Sequence, residues 1–220
     1  MYIGEIISNL YAEVSPQDTV AQVLNRINEF HFHGLPIVQQ DSFLGLVREE
    51  DLLAEEDDST RIADLKHTAP FVYLYDYQHI FDGLQIMSVH DHDILPVVSK
   101  EHKYIGIVTQ KDILKALNQT LANNESGAII ILEMDAKDYA LSHVAHIIES
   151  ENTKILSIAS RQVPDSNRME MTIKVNKNNI AAVVASLWRF DYVVKATFND
   201  GSDKNDIQDR YNLLMNYLDL

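Results

Sequence analysis

The chain repeats itself, and that restricts its fold more than any other feature. "LPIVQQDSFLGLVREEDLL", Leu35 to Leu53, aligns with "LPVVSKEHKYIGIVTQKDIL", Leu95 to Leu114, once a residue is inserted in the second copy. Leu35, Pro36 and Val38 match Leu95, Pro96 and Val98. Beyond the insertion, Gly45, Val47 and Asp51 match Gly106, Val108 and Asp112. The likeness runs backward at an offset of 60, from Val20, Leu24 and Ile27 to Ile80, Leu84 and Met87. Their i, i+4, i+7 spacing puts each trio on one helical face. Each copy reads strand, helix, strand, turn, strand, helix. Neither has core enough to be stable alone, so the copies are expected to pack about a pseudo-twofold axis and form two related clefts.

From Gly127 the pattern changes. "GAIIILEMD" is a buried-strand run, and "KDYALSHVAHIIES" carries Ala140, Val144, Ile147 and Ile148 on one helical face. "KILSIASRQ" and "MEMTIKV" read as strands, "NNIAAVVASLWRF" as an apolar-faced helix behind Asn178 or Asn179, and "YVVKATF" as a last strand. The order βαββαβ is that of a ferredoxin-like sandwich. The expected class is α+β, with repeats at 1–58 and 59–122, a linker around "NQTLANNES", and a βαββαβ domain at 127–200. Ile207, Tyr211, Leu214 and Leu218 fall at helical spacing, so an amphipathic helix is expected over 204–219, docked on its own domain or on a partner.

No run approaches the roughly 18 to 20 apolar residues that span a bilayer, and the N-terminus lacks a basic start and small-residue cleavage site. A cytoplasmic protein with no membrane partner is the expectation. The absence of cysteine excludes disulfides, thiolate zinc sites and thiol catalysis. The formal charge is -15, with 8 basic against 19 acidic side chains in residues 1–122. Such a field repels phosphodiester backbones, so nucleic acid is not an expected partner, although a pocket can still hold a small anion.

Within the second copy, Thr109-x-x-Asp112 stands where a strand gives way to a helix. Thr109 suits an N-cap, and Asp112 three residues on can reach back as in a capping box while favouring the positive helix end. The first copy has Arg48 at the matching position, beside Asp51. Arg48 either pairs with Glu50 or Asp51 and closes its cleft, or reaches across the pseudo-dyad to a phosphate in the other.

Over about residues 1–122 the two copies resemble a tandem pair of cystathionine-β-synthase (CBS) domains, a Bateman module. "LPIV" and "LPVV", then "LGLVREEDLL" and "IGIVTQKDIL", carry the likeness. The resemblance implies that Thr109 and Asp112 hold the ribose hydroxyls of an adenosine-type ligand. The adenine would lie among Phe71, Val72, Pro96, Val97 and Ile107. Arg48, His67 and Lys111 are the cations nearest to hand for a phosphate. The candidates are AMP, ADP, ATP and S-adenosylmethionine, and with so few cations AMP or another low-charge adenosyl compound is favoured over ATP. One competent site is expected, in the second copy.

The C-terminal part is similar to ACT domains, modules that often bind amino acids or form dimers. Its first strand-to-helix turn, Met134 to Ala140, has no glycine to let a backbone approach an amino acid, which favours dimerisation or sheet extension. The layout is similar to that of bacterial acetoin-utilisation accessory proteins, which transfers no substrate.

"HFH" at His31 to His33 and "HDHD" at His90 to Asp93 contain metal-ligand types and lie at the same repeat position, the helix-to-strand connection before Leu-Pro; an antiparallel association of the copies would bring the two loops together as a metal site, but exposed loop polarity is the better reading. No G-x-S-x-G turn or G-x-x-x-x-G-K-[ST] loop is present. The expectation is a non-catalytic regulator without cofactor or metal, a homodimer, that passes an adenosyl signal to an unidentified partner protein. The alternative is an oligomeric scaffold whose nucleotide cleft is vestigial.

Overall fold

The computed structural model describes residues 1–8, 10–65, 72–90 and 92–198. The helix expected at 204–219, and the site candidates His67 and Phe71, lie outside them. The chain divides into two compact units, Met1–Leu117 and Asn118–Leu220, each described by itself.

In the first unit the first repeat comprises α1 (Val20–Phe30), β1 (Gly34–Gln39), β2 (Ser42–Arg48) and α2 (Glu49–Leu53). The second comprises β3 (Leu74–Tyr75), α3 (Ile80–His90), β4 (Ile94–Val98), β5 (Tyr104–Thr109) and α4 (Gln110–Thr120). The opening strand expected in the first repeat is reduced to a single parallel bridge, Val14 to Ile37. Val14 donates to Pro36 O and accepts from Val38 N–H, both at 2.9 Å. In the second repeat the matching pair, Leu74 and Val97, begins a two-residue parallel ladder.

Hairpins β1–β2 and β4–β5 share a bulge at the same place, after Ile37 and after Val97. The β1–β2 turn is Gln40–Asp41, both at positive φ, as a tight hairpin requires. The residue inserted in the second copy lengthens the β4–β5 loop. At the second bulge Gly106 has φ +157°, and a Cβ there would lie 2.7 Å from Ile7 Cγ2. Only glycine lets the N-terminal segment cross β5 so closely.

That segment belongs to the second repeat by packing. Ile3 N–H donates to Gln78 O at 2.9 Å, Ser8 N–H to Ile107 O at 2.8 Å, and Ile3 is buried with Leu74, Ile80 and Val108. The segment leading into the second repeat does the converse. Ile62 N–H donates to Asp18 O at 3.0 Å, and Ile62 is buried with Val14, Val20 and Ile27. Each repeat thus completes the other's core, which explains physically why they occur as a pair.

The second unit runs β6 (Ile129–Asp135), α5 (Leu141–Ser150), β7 (Ile155–Gln162), β8 (Arg168–Val175), α6 (Ala181–Arg189) and β9 (Val193–Phe198). Its antiparallel sheet has the order β7-β8-β6-β9. Alternate residues of β6 and β8, among them Ile130, Leu132, Met171 and Ile173, are buried against Val144, Ile148, Val184 and Leu187 of the helices.

Candidate functional site

Thr109 ends β5 immediately before α4, so its side chain meets the helix's free amides. Its hydroxyl accepts from Asp112 N–H at 3.2 Å, while Asp112 Oδ2 accepts from Thr109 N–H at 3.0 Å and from the Thr109 hydroxyl at 2.6 Å. This is a closed capping box with Asp in the place of Glu. Thr109 is buried and Asp112 half-buried. Asp112 Oδ1 takes no bond among the described residues. A half-buried carboxylate with one oxygen open, at the positive end of an 11-residue helix, suits a polyol's hydroxyl donors.

The first repeat is built otherwise. Arg48 precedes α2 but makes no capping bond, and its Nη1 pairs with Glu50 Oε1 at 3.1 Å. Of the two roles its sequence position allows, the pair with a neighbouring acid is the one observed. Helix α2 is five residues long against eleven for α4.

Between the repeats lies a cavity of about 490 Å³ lined by His33, Gly34, Leu46, Arg48, Glu49, Glu50, His92, Asp93 and Gln110. Among the described sequence-predicted site residues Arg48 alone lines it. His33 N–H donates to Asp93 Oδ2 at 2.8 Å, and His33 Nδ1 lies 3.2 Å from the same oxygen. His33 and Asp93 occupy the same repeat position, 60 apart, so the pseudo-dyad brings a position against its own copy. Glu49 N–H donates to His33 O and Gln110 N–H to Asp93 O, each at 2.9 Å, which ties both helix starts to these loops. The two loops do converge, as an antiparallel association of the copies requires, and the contact is a single His33–Asp93 pair. Their equal repeat position was the available signal that they meet.

The remaining candidates separate. Ile107 pairs with Pro96 across β4–β5 and is buried in the first repeat's core, whereas Val97 is buried in the second repeat's own core, with Val72 packed against that cluster. Lys111 is exposed on the first turn of α4. Tyr104, the counterpart of Phe43 beside the bulge, packs against the first repeat's core. Its buried hydroxyl has no hydrogen-bond partner, and burial, then the charge of Glu13, pushes the phenol far above its ordinary range. Leaving such a group unpaired costs about 1 to 3 kcal/mol. Among the described residues no group of three or more His, Asp or Glu side chains is placed to hold a metal ion.

These repeats match a known pattern: the model of the CBS domain fits residues 3–58 and 62–119. The chain belongs to the CBS domain family. This CBS pair is similar, at 26% identity over 148 residues, to inosine-5'-monophosphate dehydrogenase of Methanocaldococcus jannaschii, covering 67% of this chain and 30% of that protein. The same enzyme from Mycobacterium tuberculosis strain H37Rv is 28% identical over 118 residues, 53% of this chain and 22% of the enzyme. The chain thus spans less than a third of these relatives, and the likeness carries none of their chemistry. Among solved structures, a CBS domain pair/ACT domain protein from Thermotoga maritima matches with a TM-score of 0.50 and 25% identity, over 55% of this chain and 99% of that one. No helix among the described residues is long and apolar enough to cross a membrane.

Proposed function

We propose that this CBS pair is a non-catalytic sensor that binds one adenosine-containing metabolite in its second repeat and relays the bound state to a partner protein. The observation that supports it most is the contrast between the two helix starts. Thr109 and Asp112 present an open carboxylate oxygen, whereas Arg48 occupies the matching place and is held by Glu50. In this reading Asp112 Oδ1 accepts from a ribose hydroxyl. The base lies against the strands bearing Pro96 and Ile107, and Arg48 and Lys111 are the described cations nearest to hand for a phosphate. AMP, ADP, ATP and S-adenosylmethionine all carry the required ribose, and the shortage of cations favours the less charged ones. The second unit serves as an ACT-like dimerisation module, consistent with its βαββαβ order and its glycine-free Met134–Ala140 turn.

A vestigial cleft in an oligomeric scaffold is the rival reading, favoured by how completely Thr109 and Asp112 already cap α4. Calorimetric titration of AMP, ADP, ATP and S-adenosylmethionine into wild type and Asp112→Ala separates the two. The sensor reading expects one saturable site per chain and a loss of at least tenfold in affinity for the variant, since hydrogen bonds to charged groups are worth about 1.5 to 3 kcal/mol. No heat with any of the four leaves the motif as a cap only.

A further inference from the structure

The cavity between the repeats adjoins the ribose clamp, and its charges decide what can enter it. Its volume of about 490 Å³ is that of a small-molecule pocket. Gln110 forms part of its wall and follows Thr109 directly, so the space begins one residue from the clamp. Strand β5 runs from the base's proposed neighbour Ile107 to Thr109, and the chain then reaches the cavity. With the base on the strands and the ribose at Asp112, this cavity is the space left for the substituent on the ribose 5′ carbon.

Three carboxylates, Glu49, Glu50 and Asp93, line the cavity against one guanidinium, Arg48. Arg48 Nη1 is already engaged by Glu50 Oε1 at 3.1 Å. Of the two imidazoles in the wall, His92 is buried and His33 has Nδ1 3.2 Å from Asp93 Oδ2, so a protonated His33 offsets at most that one acid. The half-buried Glu49 carboxylate makes no hydrogen bond or ion pair among the described residues. Glu49 stands at the repeat position of Gln110, so this acid belongs to one copy only. The helix starts offer an anion little in return. The first amides of α2 and α4 are spent on His33 O and Asp93 O at 2.9 Å each, and Asp112 N–H on the Thr109 hydroxyl at 3.2 Å. A 5′-phosphate would bring a charge of about -1.5 to -2 against these acids. A substituent carrying an ammonium meets the opposite setting, since Glu49 and Asp93 can accept from it. A carboxylate on the same substituent can take the planar fork of Arg48 from Glu50. We propose that Glu49 and Asp93 select, for the site at Asp112, an adenosyl ligand whose 5′ substituent is a cationic amino-acid chain, the chemistry of S-adenosylmethionine, and turn adenylates away. This selection rests on the adenosyl reading above and narrows it to one ligand class.

Calorimetry of the full chain with adenosine, AMP and S-adenosylmethionine tests it, adenosine serving as the ligand with no charge at the 5′ position. S-adenosylmethionine should bind at least tenfold more tightly than adenosine, the scale of a hydrogen bond to a charged group, and AMP no more tightly than adenosine. Glu49→Gln should shrink the ratio of S-adenosylmethionine to AMP affinity at least fivefold. AMP bound more tightly than adenosine, or an unchanged ratio in the folded Glu49→Gln chain, would overturn the selection and leave the adenosyl reading standing. No heat with any of the three, or binding that Asp112→Ala leaves unchanged, would overturn the adenosyl reading and the selection with it. Thermal unfolding shows whether each variant is folded, and if Glu49→Gln is not, the wild-type ratios decide by themselves.

Discussion

The two repeats share an alignment and differ where the chemistry would be. Repeat two closes its helix start with Thr109 and Asp112 and continues into an 11-residue helix; repeat one begins α2 with Arg48, leaves the cap unmade and stops after five residues. Their frames stay alike because each supplies part of the other's core. Ile3 and Ile62 must both be buried or both repeats lose packing. The helix starts are under no such mutual constraint, so one copy can diverge without unfolding the other. Duplication here preserves what is shared and releases what is local.

The largest expected effect tests the shared part. Ile3→Ala and Ile62→Ala each remove a fully buried side chain and should cost about 2 to 5 kcal/mol of unfolding free energy in denaturant titrations. If the arms truly exchange, the two losses will be similar, and local protection from hydrogen exchange will fall in the repeat each arm packs against rather than the one it leads into. A loss confined to the arm's own repeat would break the symmetry argued above.

A smaller effect concerns the helix starts. Thr109→Ala removes a working cap and should cost about 1 kcal/mol. Arg48→Thr should act in the opposite sense, gaining roughly 0.5 to 1 kcal/mol by giving Asp51 a capping partner. If the hydroxyl and carboxylate are also the ribose clamp, Arg48→Thr will raise the calorimetric stoichiometry from one adenosyl ligand per chain toward two. A stability gain without a second site would show that the first cleft is closed by more than Arg48.

The smallest effect lies in the β4–β5 loop, where the repeats differ in length. Glu101 accepts from the Ser99 hydroxyl at 2.8 Å, and this bond, with that to a backbone amide, holds its carboxyl below the ordinary range. A depressed folded value stabilises the protein above the unfolded carboxylate pKa of about 4.3, and the contribution disappears as pH falls through the folded value. Ser99→Ala should therefore move the Glu101 midpoint upward in an NMR titration. Any difference in stability from wild type should be present near neutrality and vanish in acid.

Much of this was legible in the chain itself because its signals are local. A helical face recurs every 3.6 residues and a strand face every two, so α1, α3, α5, α6 and the main hairpins can be read from residue spacing. The Thr109 cap was legible for the same reason, as both partners lie within four residues. That the loops at His33 and Asp93 could meet was legible from their equal repeat position, but which side chains pair was not, because two loops 60 residues apart meet only through packing. The first repeat's opening strand was over-read, since one bridged residue leaves the same alternation in sequence as a strand does. The split of Val97 and Ile107 between two cores could not be seen either, as both are simply apolar residues in strands.

By itself, then, the sequence determined the duplication, the element types and the asymmetry of Arg48 against Thr109. These follow from backbone sterics and side-chain periodicity over a few residues. Only the tertiary structure decided which segment completes which core, that Arg48 turns to Glu50, and that a cavity opens where position 33 meets position 93. Those outcomes depend on burial and on electrostatic competition between residues far apart in the chain.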